Sequence, residues 1–405
     1  MEKKYLNKYR WVILSLVFSA TTFNYFNRIV LSVLIPEIKN DLNIDDIAYS
    51  HILSAFQLMY MLGFLAAGRI IDRLGTKLGY LLSILTWSIS AAMHAICRTP
   101  LCMSVWRGFL GLTEAGNFPA AIKSVSEWFN VKDRAFATSL FNSGPSVASI
   151  AGPPLMAIIF TVAGWRWTFF FFGLLGFLLV IIWQFVYWTP KEKMNGPAGK
   201  NEKQTVSWKL LLNQRETYGF MIGKFLTDPV WWFYLYWMPN YLSSQRGFNI
   251  KSIAIAVPII YIIAILLSWV GGWFSDYMIK RGWPAIKARK IIMGISAACL
   301  PVTALAVFTG NAWAAILLVS LALGAHSSWS ANIFTLVTDC FPSKAVGSVT
   351  GLGGFAGGLG GLLIATLAPG YIVTYFGYVP IFILMGILHP LAFLAVHLNI
   401  KKQLT

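Results

Sequence analysis

Long apolar runs recur along the whole chain and are separated by short polar stretches. Each run has about twenty residues or more, which is the length that an α-helix needs to cross the hydrocarbon core of a bilayer. The runs fall at about 11–36, 49–71, 78–97, 101–122, 135–161, 167–189, 217–242, 252–275, 289–309, 311–337, 346–374 and 377–398. The pattern therefore predicts an all-α membrane protein with twelve transmembrane helices.

The polar stretch between the sixth and seventh runs is the longest in the chain. It mixes prolines and glycines with lysine, glutamate, asparagine and glutamine, a composition typical of a linker. We therefore expect an N-terminal six-helix half at 1–189, a cytoplasmic linker at 190–215 and a C-terminal six-helix half at 216–405.

Lysine and arginine predict the orientation. The chain has 32 of them and a net charge of +17, but they fall in short loops, where they mark the cytoplasmic side of a membrane rather than a nucleic-acid surface. Alternate loops hold 24 of the 32 on one side and 5 on the other, so both termini are predicted to be cytoplasmic. The other three, Arg28, Arg107 and Lys224, lie inside predicted spans, where ionisable side chains mark functional sites by default.

A short motif occurs once in each half. Gly68–Lys77 follows the second run and Gly272–Arg281 follows the eighth, 204 residues later, and both contain Gly-x-x-x-Asp. Two parallel repeats of this kind indicate two half-bundles that rock about a central cavity.

The first copy of this motif resembles the loop 2–3 signature of the major facilitator superfamily, Gly-x-x-x-Asp-Arg-x-Gly-x-Lys/Arg. The resemblance implies the pseudo-symmetric fold of that superfamily and a gating role for the loop. The gating residues that it implies are Gly68, Asp72 and Arg73 and, in the second repeat, Asp276.

Five further stretches resemble the anion:cation symporters of that superfamily, most closely the hexuronate transporters. They are Asn24–Arg28, Arg107–Ala115, Ser126–Phe129, Phe141–Gly144 and Ala325–Thr335. The resemblance implies proton-coupled symport of a sugar acid, such as glucuronate, galacturonate or galactonate, through the bacterial inner membrane. It implies no cofactor, and a monomer is sufficient to form the pathway.

Arg28 is the predicted ligand of the substrate carboxylate. It lies near the middle of the first run, and a guanidinium can hold a carboxylate through two hydrogen bonds where water is scarce. The resemblance assigns the same role to Arg28 and places Tyr25 beside it. A permanent pairing of Arg28 with Glu114 or with a helix C-terminus is the structural alternative.

Arg107 and Glu114 are seven positions apart, so they share one face of a helix. Protonation of Glu114 depends on whether a nearby guanidinium is engaged elsewhere, so Glu114 is the predicted proton-coupling residue and Arg107 a second substrate ligand. Asn27 is a neutral counterpart at a position where the resembled family often has aspartate. Either the carrier has one proton site, or the asparagine was introduced to hold a titrating position neutral.

Hydroxyl groups of a sugar need directional hydrogen bonds and a flat apolar face. The i, i+4 spacing predicts that Trp232 and Tyr236 share one helix face and that Ser328 and Asn332 share another. The other predicted substrate contacts are Tyr60, Asn142 and Trp329.

Several other polar residues have structural interpretations. Lys224 and Asp228, also at i, i+4, are expected to pair with each other, and His94 and His326 to be isolated, hydrogen-bonded core residues. The four cysteines show no spacing typical of metal ligands, and only Cys97 and Cys102 lie close enough in the sequence to pair. We expect no metal site and free thiols.

Other classes of protein fit less well. A membrane-embedded enzyme would need a nucleophile or paired acids near the headgroups, and a receptor built on a carrier fold would need a signalling domain; the sequence offers neither. Among transporters, the alternative is an organic-anion exchanger or uniporter without proton coupling, which the asparagine at position 27 favours.

Overall fold

The computed structural model describes residues 2–129, 137, 140, 141, 143–188, 208–341 and 343–401, and these residues form helices and no strand. The helices in the first part of the chain are α1 (Glu2–Leu42), α2 (Asp46–Met93), α3 (Pro100–Glu114), α4 (Asn117–Trp128) and α5 (Gly144–Val186). Those in the second part are α6 (Trp208–Leu211), α7 (Arg215–Arg246), α8 (Ile250–Lys280), α9 (Ala285–Thr303), α10 (Ala312–Cys340), α11 (Ser343–Gly360), α12 (Ala368–Phe376) and α13 (Tyr378–Asn399). The predicted all-α class is confirmed.

The chain folds into two compact units. The first comprises the described residues of Met1–Lys200 together with Phe248–Ile255, and the second those of Asn201–Gly247 and Ala256–Thr405. Most of the predicted linker lies outside the described residues, so the boundaries expected at 189 and 216 stay a prediction.

Close helix packing in the first unit depends on glycine. Helix α2 packs against α3 and α5, and α1 packs against α5. A Cβ atom on Gly111 of α3 would clash with the carbonyl oxygen of Phe56 on α2, and one on Gly63 would lie 2.7 Å from the carbonyl oxygen of Leu112. The missing side chains let α2 and α3 approach to backbone distance, as in other membrane helix pairs.

Two glycines divide long helices into two arms. Gly75 in α2 has φ 79° and Gly164 in α5 has φ 82°, a region that side chains with a Cβ rarely adopt. After the second of these turns, Arg166 and Trp165 donate to Asp41 Oδ2 over 2.6 and 3.0 Å. These hydrogen bonds, that of Arg166 above all, hold the pKa of Asp41 below its ordinary value and tie the end of α1 to α5.

The second unit is built around α7. Helices α11 and α13 pack against α7, and α9 packs against α10 and α13. A Cβ atom on Gly360 would clash with the carbonyl oxygen of Phe225 in α7, so the glycine-rich α11 approaches α7 closely, as its composition predicts. After Gly360 the helix widens into a π-helical segment, Gly361–Leu367.

Within the described residues, eight helical segments are long and apolar enough to cross a membrane. Helices α1, α3 and α7 are not among the eight, and each of them carries buried ionisable side chains. The count of twelve crossings therefore stays a prediction.

The expectation of free thiols is wrong for one pair of cysteines. Cys97 and Cys102 form a disulfide between the end of α2 and the start of α3, with their Cα atoms 5.4 Å apart. Because the two residues lie on either side of a tight connection that reverses the chain, their side chains meet. Cys299 and Cys340 are free, as expected.

Candidate functional site

The centre of the first unit is a buried ion pair between α1 and α3. Arg28 Nη2 and Nε lie 3.0 and 3.2 Å from Oε2 of Glu114, and neither side chain is exposed. Glu114 is the last residue of α3, next to the turn that separates α3 from α4. The sequence singled out both residues but left their pairing open as an alternative.

Aromatic rings surround the guanidinium of Arg28. Its Cζ atom lies 4.5 Å from the ring centre of Tyr60, 4.6 Å from that of Tyr25 and 4.9 Å from that of Phe56. Such contacts stabilise a desolvated cation without neutralising it. The structure thus brings the predicted residues Tyr25 and Tyr60 to Arg28, whereas the part played by Phe56 had no signal in the sequence beyond an apolar run.

Arg107 lies deep in the first unit and binds the backbone of α1. Its Nη1 donates to the carbonyl oxygen of Asn27 over 3.1 Å, and its Nη2 donates to that of Arg28. The residue is fully buried, and its Cζ atom lies 5.0 Å from the ring centre of Phe56. These hydrogen bonds fix the segment of α1 that presents Arg28 to Glu114.

Two asparagines, Asn24 and Asn27, precede Arg28 in the sequence, and both are buried. Asn24 Oδ1 accepts from Arg28 Nη2 over 3.4 Å. Within the described part of the chain, neither polar atom of the Asn27 side chain has a hydrogen-bond partner. A buried amide with both ends unsatisfied is unusual and indicates a position for a polar ligand group or a water molecule. Asn142, a further predicted contact, lies outside the described residues.

The second unit contains the expected pair on α7. Lys224 Nζ lies 2.7 Å from Asp228 Oδ1 and 4.3 Å from the ring centre of Phe334 on α10. One turn of helix separates the two charged residues, so the pairing follows from local geometry, and the structural interpretation of this pair is confirmed.

The uncharged side chains of the second unit that are predicted to contact the substrate pack against one another or against neighbouring helices. Trp232 and Tyr236 stack with ring centres 5.7 Å apart, as their spacing predicts. Asn332 Nδ2 donates to the carbonyl oxygen of Ser328 over 2.9 Å, while no described residue donates to Asn332 Oδ1. Ser328 packs directly against Gly271 of α8. That these four predicted contacts bind the substrate stays a prediction.

His326 is not isolated, contrary to expectation. Its Nδ1 lies 3.3 Å from Nε2 of His389 on α13, and both rings are buried. Trp231 stacks on His326, and Trp329 packs edge-on against His389 with ring centres 5.4 Å apart. The predicted contact Trp329 is therefore a neighbour of a histidine pair that sequence spacing does not reveal, because its members lie 63 residues apart.

The predictions for His94 and for the gating residues have different outcomes. His94 is a hydrogen-bonded core residue, as expected, with Nδ1 2.7 Å from the carbonyl oxygen of Ser90. Arg73 is exposed. The side chains of Asp72 and Asp276, and the surroundings of Gly68, lie outside the described part of the structure, so the predicted gate is not tested.

A carboxylate near the Gly75 turn was missed as an organising residue. Glu127 Oε1 accepts from the Thr76 hydroxyl over 2.6 Å, and its Oε2 accepts from the Tyr187 hydroxyl. Glu127 on α4 thereby ties the start of the second arm of α2 to Tyr187, the residue directly after α5. The only signal in the sequence was a carboxylate inside the Ser126–Phe129 stretch.

Comparisons with known proteins agree with this architecture. The family model of the Major Facilitator Superfamily matches residues 17–365. The chain is also similar to the hexuronate transporter of Escherichia coli strain K12, with 28% identity over 93% of this chain and 91% of that one. It is 27% identical to a probable galactarate/D-glucarate transporter of the same strain, over 92% and 90% of the two chains.

Solved structures with the same fold include a bacterial homologue of the human lysosomal transporter Spinster, with a TM-score of 0.80, 16% identity and coverage of 98% of this chain and 99% of that one. The D-xylose-proton symporter matches with a TM-score of 0.75, 15% identity and coverage of 97% and 99%. Because the family model covers most of the chain, the protein belongs to the major facilitator superfamily and is a multi-pass membrane transporter, not an enzyme.

Proposed function

We propose that the protein is a proton-coupled symporter that carries a sugar-acid anion, a hexuronate or a related aldonate, into the cell by alternating access. The observation that carries this proposal is the buried pair of Arg28 and Glu114. Arg28 can bind a carboxylate, and it is in direct contact with Glu114, which can carry a proton. Binding of an anion to Arg28 therefore changes the proton affinity of Glu114, and protonation of Glu114 changes the affinity of Arg28 for the anion. The sugar-acid transporters among its relatives support the substrate class.

In the proposed cycle, the substrate carboxylate replaces Glu114 on Arg28. Both described hydrogen bonds from Arg28 to Glu114 end at Oε2, and an incoming carboxylate can accept the same two N–H groups once Glu114 is protonated. Tyr25 and Tyr60 already flank the guanidinium, so their rings and hydroxyl groups would border the bound anion.

The physical basis for the proposed coupling is that the net buried charge of the site stays the same when a proton and an anion bind together. With Glu114 ionised, Arg28, Arg107 and Glu114, which are the fully buried charged residues among those described in the first unit, sum to one net positive charge. One proton and one monovalent anion together leave that charge unchanged, whereas either alone alters it. A change in buried charge is costly to carry through a low-dielectric interior, so the empty and the fully loaded carrier move most easily.

Uncharged polar and aromatic groups are proposed to bind the hydroxyl-bearing part of the substrate. Such groups fix orientation through directional hydrogen bonds without adding a charge. The proposed uncharged contacts besides Tyr25 and Tyr60 are Asn142, Trp232, Tyr236, Ser328, Trp329 and Asn332. Arg107, which is charged, is proposed as a second substrate ligand beside Arg28.

The remaining features of the proposal follow from the charge distribution and the signature loops. The protein would lie in a bacterial inner membrane as a monomer, with both termini in the cytoplasm, and would need no cofactor. Gly68, Asp72 and Arg73, with Asp276 in the second repeat, would gate the cytoplasmic side.

Transport by the purified protein tests the proposal. Proteoliposomes would be given radiolabelled glucuronate, galacturonate or galactonate with and without an inward proton gradient. We expect the gradient to drive accumulation of at least one of these acids and a protonophore to abolish it. Failure to bind or transport any sugar acid would refute the proposed substrate class.

An exchanger or uniporter is the second candidate, and Asn27 favours it because it cannot titrate. In that case proteoliposomes would show counterflow of labelled sugar acid but no accumulation driven by protons.

Asn27→Asp tests the number of protons carried in each cycle. A second titrating carboxylate could carry a second proton and make the cycle electrogenic, and each charge moved is worth about 2.3 kcal/mol per 100 mV. Uptake driven by a potassium/valinomycin potential in the parent protein would contradict a cycle with one proton and one monovalent anion.

A further inference from the structure

A crevice opens on the surface of the second unit between α8, α9 and α10. Its volume is about 200 Å³, and its lining side chains are apolar except for Ser296, Cys299 and Ser328. None of the lining residues is charged, so an anionic solute would lose its hydration there without compensation. A ligand that enters this crevice must therefore be apolar.

The crevice opens toward lipid. Val270 and Ile295, which line it, are 61% and 54% exposed, and Trp269 on the same surface is exposed as well. All three helices are among the segments that are long and apolar enough to cross a membrane. An exposed apolar surface on such helices faces acyl chains rather than water, so an acyl chain is the apolar ligand that this crevice meets.

One face of α8 leads from the crevice to a cation. Phe274 lines the crevice, and its ring centre lies 6.3 Å from that of Tyr277. The Cζ atom of Arg281 lies 5.0 Å from the centre of the same tyrosine ring. Phe274 and Arg281 are seven residues apart, or about 10 Å along the helix, whereas the headgroup layer of one leaflet is about 5–8 Å thick. With Arg281 at the headgroups, Phe274 lies among the acyl chains.

Helix α9 contributes a second cation at the same level. Lys287 precedes Ile292, which lines the crevice, by five residues, or about 8 Å of helix. Its Nζ lies 5.0 Å from the ring centre of Trp283, in the turn between α8 and α9. Tryptophan and tyrosine are enriched where membrane meets water, so Trp283 and Tyr277 mark the headgroup level beside both cations.

The end of the unit above the crevice has an excess of positive charge. Positions 276–290 hold five lysines and arginines and one acidic residue. Arg289 and Lys290 donate hydrogen bonds within the unit, whereas Arg281 and Lys287 are exposed. Orientation in the membrane explains a basic loop, but it does not explain an apolar crevice directly beneath one.

From this arrangement we infer that the second unit has a binding site for an anionic phospholipid. One acyl chain lies in the crevice between α8, α9 and α10, and the phosphate group lies at Arg281 and Lys287. Exposed basic side chains at the membrane surface attract anionic headgroups, whereas a zwitterionic headgroup brings its own cation and gains less. The inference goes beyond the proposed function and does not depend on which solute is carried.

Photolabelling of the full-length protein tests the inference. The protein would be placed in phosphatidylcholine nanodiscs that contain a trace of phosphatidylglycerol or of phosphatidylcholine with a diazirine in one acyl chain. Mass spectrometry after irradiation and proteolysis locates the adducts. We expect adducts around the crevice on α8 and α9 to be about tenfold more frequent with phosphatidylglycerol, because two cations bind its headgroup.

The double variant Arg281→Gln/Lys287→Gln tests the headgroup contact. Without these cations, labelling around the crevice by the two lipids should agree within about twofold. Arg98→Gln/Lys251→Gln is the matched control, because it removes two exposed cations at other helix ends. The control should keep the preference of the parent for phosphatidylglycerol.

Substitution of Cys299 tests the position of the acyl chain. Cys299→Phe fills the crevice with a ring, so adducts on the crevice residues should fall sharply with either lipid. Cys299→Ser is the control, since it leaves the volume of the crevice nearly unchanged and should be labelled like the parent. Unchanged labelling of a folded Cys299→Phe protein would show that the chain does not lie in the crevice.

Other outcomes would also overturn the inference. Equal labelling of the crevice by both lipids in the parent would indicate ordinary boundary lipid, and an unchanged preference in Arg281→Gln/Lys287→Gln would exclude these two cations. Displacement of the labelled lipid by soluble glycerol phosphate would indicate a site for free phosphate instead. If Cys299→Phe does not fold, the charge variant decides, since its substitutions lie on the surface. None of these measurements uses a sugar acid, so failure of the proposed function leaves them unaffected.

Discussion

Arg28 and Glu114 meet through two hydrogen bonds that end on the same carboxylate oxygen. Nε and Nη2 of Arg28 lie 3.2 and 3.0 Å from Oε2, whereas no described residue donates to Oε1. A symmetric fork would use both oxygens. The observed arrangement leaves one oxygen of a buried carboxyl group open to a proton while the other stays on the guanidinium.

Replacement of Arg28 by lysine should weaken substrate binding even though the charge is kept. A point ammonium cannot offer the planar pair of donors, so we expect the Kd for the sugar acid to rise by about tenfold to 100-fold, and further in Arg28→Ala. Binding to the purified protein measures the effect. Arg166→Lys is the control, because this partly exposed pair with Asp41 contributes little, and a change within about twofold is expected. Near-parental affinity in both Arg28 variants would exclude Arg28 as the carboxylate ligand.

Glu114→Gln should separate binding from coupling. Glutamine imitates the protonated acid in shape and neutrality, so the variant should bind the sugar acid and exchange it in counterflow but no longer accumulate it under an inward proton gradient. Both assays can be run on one preparation of proteoliposomes. Glu37→Gln, near the end of α1, should accumulate the substrate normally. Accumulation by Glu114→Gln at the parental level would remove Glu114 from the mechanism.

Arg107→Gln should destabilise the protein in the absence of substrate. The fully buried guanidinium donates to the carbonyl oxygens of Asn27 and Arg28, and loss of hydrogen bonds of this kind costs about 1–3 kcal/mol. The midpoint of thermal unfolding in detergent, measured without ligand, reports this effect. A role as substrate ligand alone predicts the opposite, namely an unchanged midpoint in the ligand-free protein and a lower affinity.

Gly111→Ala should also destabilise the fold, because the new methyl group would clash with the backbone of Phe56. Forcing α2 and α3 apart costs about 1–3 kcal/mol, as for other overpacked interiors. Gly354→Ala is the matched control, since nothing lies within 4 Å of a Cβ at that position. In the control, alanine should be neutral or raise stability by about 0.5–1 kcal/mol through its higher helix propensity. Equal thermal midpoints in the two variants would contradict the close approach of α2 and α3.

The disulfide predicts the number of reactive thiols. In unfolded, unreduced protein, a maleimide should label only Cys299 and Cys340, and after reduction it should also label Cys97 and Cys102. Mass spectrometry of the intact protein counts the labels. Modification of all four cysteines without reductant would show that the disulfide does not form.

The helical fold could be predicted from the sequence because a bilayer leaves few alternatives. Each segment within it must satisfy its backbone hydrogen bonds internally, so long apolar runs are helices. Gly75 lies inside the signature loop and Gly360 within a glycine-rich run of the sequence; the chain turns at the first, and two helices approach closely at the second.

Pairs within one helix could also be predicted, since a single helical repeat fixes them. Lys224 with Asp228 and Trp232 with Tyr236 meet because four residues make about one turn. The residue types and their spacing in the sequence were therefore sufficient to predict these two pairs.

Contacts between helices depend on how each helix is rotated and how deep it lies, and neither is written in spacing along the chain. Only the tertiary structure joined Arg28 to Glu114, turned Arg107 to the backbone of α1 and brought His326 to His389. The sequence thus determined which residues carry charge inside the helices, because a charge in an apolar run stands out by itself. The tertiary structure decided which of these charges are paired, because pairing is set by the packing of helices that lie far apart in the sequence.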